Sequence, residues 1–138
     1  MLRFVVRYFR WLAHVPFATS LFDAFLLSWT AIFHPRRLQA IEAMEAAVLQ
    51  LPGVSPARHR YGGQGFVCAG QEFAHVHGNG LLDVKLTRER AARFVAQGRA
   101  APHHVFGPSA WISFQLHTPA DCANAMILLQ AGLPEQGS

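Results

Sequence analysis

A chain of 138 residues is one domain by its length and can bury a real core; 51% hydrophobic against 14% charged residues makes it greasier than a typical soluble domain. The net charge of +4 belongs to the first 37 residues, where Arg3, Arg7, Arg10, Arg36 and Arg37 face only Asp23, while seven basic and seven acidic side chains cancel in the remainder. With no basic–aromatic motif on that neutral remainder, a nucleic-acid interface is excluded. Cys68 and Cys122 lie far apart without metal-type spacing, which reads as two reduced thiols, with a single disulfide as the alternative.

Arg3, Arg7, Arg10 and His14 fall at helical spacing, and Phe4, Val5, Tyr8, Phe9, Trp11 and Leu12 fill most of the other positions. A basic, aromatic-rich amphipathic helix fits a membrane interface; the alternative is a helix packed on the domain with its arginines in water. Pro16 breaks the pattern, and Thr19 or Ser20 can cap a second helix over 17–33. That run is apolar nearly all round, with a thin stripe of Ser20, Asp23 and Thr30. It is at the short limit for a span, and a central Asp disfavours insertion by roughly 2.5–3.5 kcal/mol. Shallow insertion, or burial in a partner subunit, fits better. Residues 1–34 are therefore expected to be a membrane-associating or oligomerising segment, with the protein at the cytoplasmic side of a membrane, and 35–138 the domain proper. No small-residue cleavage site follows the apolar run.

The spacing predicts a third helix over 36–49, stopped by Leu51-Pro52-Gly53. The period then changes to two: strands are expected over 57–61, 65–69, 72–77 and 81–86, separated by Gly62-Gly63, Gly70 and Gly78-Asn79-Gly80. Thr87 caps a helix ending at Gly98, residues 99–108 read as a loop, and 111–117 alternate as a last strand. Pro119 opens the final helix at a position where its missing N–H costs nothing. The expected fold is α+β: an antiparallel sheet of about five strands covered by helices on one face, after a hydrophobic helical segment.

Alternate residues of a strand share a face. That sets Phe73, His75 and His77, then Leu81, Asp83 and Lys85, then Trp111, Ser113, Gln115 and His117 on faces opposite the apolar ones. A three-residue Gly78-Asn79-Gly80 turn keeps the apolar faces in register and pairs His75 with Asp83; a two-residue turn would scramble them. An Asp across from a His favours imidazolium and orients the ring as a general base. The candidate catalytic residues are thus His75, His77, Asp83 and His104, with Phe73, Lys85, Trp111 and Ser113 as substrate-binding candidates. Of the adjacent pair His103-His104, at most one points into the site. Three chemistries stay open: a metal-free His site with Lys85 offsetting negative charge, a divalent metal (zinc, copper or iron) on His75, His77 and His104 to which Glu72 or Asp83 could contribute, or a structural or binding face.

The run EFAHVHGNGLLDVKL, then GRA-x-PHHV, then WISF-x-L resembles the luciferase-domain family over about residues 50–131, which includes small bacterial proteins and the fungal bioluminescence luciferases. His75, His77, His104 and Trp111 occupy its motif positions. The resemblance implies oxygenase-like chemistry, in which O2 adds to an activated phenolic or hydroxypyrone-type substrate without metal or flavin, and an N-terminal membrane-associating segment. The expected partners are therefore a small-molecule substrate and a membrane surface through residues 1–34. The alternative is a non-catalytic small-molecule or metal-binding module, or a membrane-bound homo-oligomeric assembly protein.

Overall fold

The computed structural model describes residues 18–60, 62–103, 105 and 107–134. The basic stripe of residues 1–14, His104 and most of the C-terminal tail lie outside them. Helix α1 (Ala18–Phe33) is followed by α2 (Pro35–Val48), then strands β1 (Val54–Arg58), β2 (Gln64–Cys68), β3 (Gln71–Val76) and β4 (Leu81–Lys85). Helix α3 (Arg88–Ala96) leads to β5 (Ala101–His103) and β6 (Gly107–Gln115); a short 3-10 turn (Pro119–Asp121) then opens α4 (Cys122–Gly132). The fold is α+β, as expected. The sheet is antiparallel with six strands in the order β1-β2-β3-β4-β6-β5.

The extra strand is β5, in the stretch expected to be a loop. Pro102 cannot donate a ladder hydrogen bond, so the sequence reads as a break; an edge strand tolerates it. The opposite edge, β1, carries Pro56 in the same way and starts at Val54, three residues earlier than its pattern suggested. Prolines on both outer strands blunt the edges against pairing with another sheet.

One face of the sheet carries the core. Phe66, Ala74, Val76, Leu82, Val84 and Ile112 pack there with Ala40, Ile41, Met44 and Val48 of α2 and Ala125, Leu128 and Leu129 of α4. The β3–β4 turn is the three-residue one: the Gly80 N–H donates to the His77 carbonyl (2.8 Å), the His77 N–H donates to that of Leu81 (2.9 Å), and His75 pairs with Asp83. Gly80 takes the left-handed conformation that this turn requires (φ 81°).

Helix α1 is turned the opposite way from an ordinary amphipathic helix. Its thin polar stripe faces the domain: Thr30 is buried and Asp23 accepts the Gly78 N–H at 2.9 Å. Its apolar residues face outward, with Leu21 74% and Ile32 71% exposed beside Phe22, Phe25, Trp29 and Phe33. The described helix already runs from Ala18, so Thr19 and Ser20 lie within it and not at a cap. No described helix is long and apolar enough to cross a membrane.

The helix backbone comes so close to the β3–β4 turn that a Cβ on Gly78 would lie 2.6 Å from the Leu27 nitrogen and 2.7 Å from the Asp23 carbonyl oxygen. Gly78→Ala is therefore expected to lower unfolding stability by about 1–3 kcal/mol, an overpacking penalty, and to loosen α1. Denaturant titration followed by tryptophan fluorescence checks this; a midpoint equal to that of the unsubstituted protein would refute the close docking.

Candidate functional site

One row of residues crosses all six strands on the face away from the core: Ala57, Gly65, His75, Asp83, Ser113 and Ala101. Small residues flank a His and an Asp, leaving room above the middle of the sheet. Asp83 is fully buried. A buried carboxylate must be compensated by hydrogen bonds or charge. Its Oδ1 accepts the Ser113 hydroxyl, and its Oδ2 is ringed by imidazole nitrogens: Nε2 of His75 at 3.2 Å, of His103 at 3.6 Å and of His77 at 3.8 Å.

Beyond His75 lies a second group. A bulge in β3 opposite Phe66 and Val67 makes Phe73 the extra residue, which shifts the alternation. Phe73 turns into the core, and Glu72 turns to the polar face. Gly65 makes space for it, since a Cβ there would lie 2.9 Å from Glu72 Oε2. Glu72 Oε1 meets His59 Nδ1 at 2.6 Å and His75 Nδ1 at 3.1 Å. The His59 ring stacks on His75, with centroids 3.6 Å apart and planes at 12°. Trp111 closes the other side, 5.3 Å from the His75 ring.

Residues 70–132 match the Luciferase domain family model. The expected family resemblance is borne out over that stretch. No curated protein and no solved structure matches the chain. The matched stretch contains Glu72, His75, His77, Asp83, His103, Trp111 and Ser113, whereas His59 comes to the cluster from the chain ahead of it.

Of the residues expected at the site, the structure brings together His75, His77, Asp83, Ser113 and Trp111. Ser113 is buried and holds Asp83, so it stands behind the carboxylate and not on a substrate-facing surface. Phe73 is core, for the reason just given. Lys85 is exposed and lines a groove of about 760 Å³ with Glu72, Arg90 of α3 and the end of α4; none of the cluster histidines lines it. His104 lies outside the described residues; its neighbour His103 is the one seen against Asp83. Glu72 was expected only as a contributor to a metal site and His59 not at all, because only the bulge and the stacking bring them in. The sole hint was Gly65, a side-chain-free position facing His75.

His75 is oriented by Asp83 as expected, but its other nitrogen is covered by Glu72. The imidazole thus bridges two carboxylates, and Glu72, with its side chain 28% exposed, is the more accessible end of the chain Glu72–His75–Asp83. His103 has a fixed tautomer: the Val105 N–H donates to its Nδ1 at 3.1 Å, which leaves the ring proton on Nε2, aimed at Asp83.

Two triads bring potential ligand atoms close together, His59/Glu72/His75 and His75/Asp83/His103. Neither fits a metal as it stands. Lone pairs of imidazole nitrogens lie in the ring planes, and the near-parallel His59 and His75 planes share no common in-plane point. In the second triad, the His103 Nε2 carries the ring proton. The geometry is that of a carboxylate–imidazole cluster: Glu72 hydrogen-bonds His59 and His75, and Asp83 Oδ2 lies within ion-pair distance of His75, His103 and His77.

Burial, followed by the neighbouring His75 ring, lowers the His59 pKa from 6.5 to about 4, against the pull of Glu72. His59 is neutral in the folded protein at pH 6.5, where the unfolded chain is half protonated. Stability is therefore fully present above pH 6.5 and falls as pH drops from 6.5 towards 4, by up to roughly 3 kcal/mol. His59→Gln is expected to lose less stability between pH 7 and pH 4.5 than the unsubstituted protein, measured by urea titration. Equal losses would show that His59 is not held neutral.

Proposed function

We propose that the Asp83-centred cluster is the active centre of an oxygenase-like enzyme acting at a membrane surface on a small, acidic phenolic or pyrone-type substrate. The observation that carries the reading is the continuous chain Glu72–His75–Asp83, which runs from a partly exposed carboxylate to a fully buried one. In this reading the substrate lies against the Glu72 carboxylate, with Lys85 the nearby cation that favours its anionic form. Glu72 accepts the hydroxyl proton, and His75 shares it, with Asp83 stabilising the imidazolium so formed. The electron pair left on the substrate anion then forms a C–O bond to O2. The substrate is oxidised, oxygen is reduced to the peroxide level, and the peroxide oxygen takes back a proton from the cluster. Trp111 walls the His side of the centre, a surface suited to a flat ring.

The membrane part of the reading rests on α1 and on the residues before it. An exposed row of Leu21, Phe22, Phe25, Trp29, Ile32 and Phe33 adjoins a basic, aromatic-rich N-terminal sequence. Together these suit an anionic lipid surface better than water.

Oxygen uptake with electron-rich phenols and 4-hydroxypyrones tests the chemistry. Glu72→Gln is expected to lower the initial rate by at least about a hundredfold, the scale of a lost general base. Unchanged rates in Glu72→Gln and in His75→Ala would sink the proposal. For the membrane part, the full chain is expected to float with anionic vesicles and the double variant Phe25→Glu/Ile32→Glu to float less; a chain that stays at the bottom of the gradient contradicts it.

A further inference from the structure

Asp23 connects α1 to the cluster. Its Oδ1 accepts the Gly78 N–H at 2.9 Å and stands 3.7 Å from His77 Nδ1, while the opposite nitrogen of that ring, Nε2, stands 3.8 Å from Asp83 Oδ2. His77 is therefore held between a carboxylate of the helix and a carboxylate of the sheet. The seat is tight on both sides, because a Cβ on Gly62 would lie 2.6 Å from the Thr19 carbonyl oxygen and one on Gly78 2.7 Å from that of Asp23. Burial pulls the Asp23 carboxyl up, but His77 and the N–H groups of Gly78 and Gly63 outweigh it, and its pKa lies below the ordinary value. The carboxylate is thus the form bound here. The turn it grips is held from two more directions: Asn79 Oδ1 accepts the Leu81 N–H, and Gln115 donates to the Asn79 carbonyl.

We infer that Asp23 is a positioning residue of the candidate centre: it fixes the His77 ring and the β3–β4 turn so that His77 Nε2 faces Asp83. Helix α1 is then part of the site it flanks. A membrane anchor alone would gain nothing from a carboxylate on its inward stripe, and a helix held only by packing would present apolar residues inward. This inference rests on the Asp83 cluster being the functional centre, but the orientation of His77 by Asp23 is measurable without any substrate.

The test uses the full chain, ¹⁵N-labelled, with the ring signals of His77 and His103 assigned from His77→Gln and His103→Gln. Asp23→Asn keeps an acceptor for the Gly78 N–H and removes the charge; Asp23→Ala removes both. The Gly78 amide is expected to exchange about tenfold faster in Asp23→Ala and to stay within about threefold in Asp23→Asn. The His77 ring nitrogens are expected to shift in both variants, while those of His103, set by the Val105 N–H, stay in place. Unchanged His77 signals in both variants would overturn the inference. So would a shift of every histidine together in Asp23→Asn, which would mean general loosening. Should Asp23→Ala fail to fold, Asp23→Asn decides alone. Oxygen uptake is read separately: a protein inactive on every substrate whose His77 still answers to Asp23 loses the proposed reaction and keeps this inference.

Discussion

Burying the Asp83 carboxylate is the constraint that the rest of the polar face answers. A carboxylate on a central strand, fully removed from water, costs several kcal/mol unless donors surround it. Ser113 from β6, His75 from β3, His103 from β5 and His77 from the β3 end of the turn converge on it from three strands. The row of small residues across the sheet leaves the space in which those rings fit. The same arrangement that compensates the charge sets a carboxylate beside each nitrogen of His75, the geometry on which the proposed proton transfer rests. Structure and candidate chemistry therefore share their residues, and a substitution at Asp83 acts on both.

The second constraint is the inverted helix. Thr30 and Asp23 face the domain, while aromatic and aliphatic side chains face out. Burying the polar stripe against glycine-rich turns works because Asp23 accepts the Gly78 N–H there, and the absence of side chains on Gly62 and Gly78 allows the helix backbone to approach them. The exposed apolar face is unusual for a protein surface in water, and the proposed docking to a lipid surface rests on it.

Much of this was legible in the sequence. Alternation and the Gly-Asn-Gly turn set the register of β3 against β4, because a two-residue turn would have put Val76 opposite Leu81 and scrambled the faces. The α+β order followed from the switch of period after Gly53. Three features were out of reach. Pro102 masked β5, since an edge strand and a loop look alike when a proline interrupts the pattern. The bulge at Phe73 exchanged Phe73 for Glu72 on the polar face, and a strict period of two cannot show an extra residue. His59 is brought in by stacking, a tertiary contact with no local signature. The polar stripe of α1 was visible, but which way it faces depends on Gly78, more than fifty residues away in the chain.

The central claim is that Asp83 organises the histidines around it. The most direct measurement is the ring ¹⁵N spectrum of the full chain and of Asp83→Asn, which keeps shape and removes the charge. The account predicts that the ring signals of His75, His77 and His103 all move, while His117, on the far side of Gln115 and bonded to Arg37, stays in place. A spectrum in which the three cluster histidines keep their positions would contradict it.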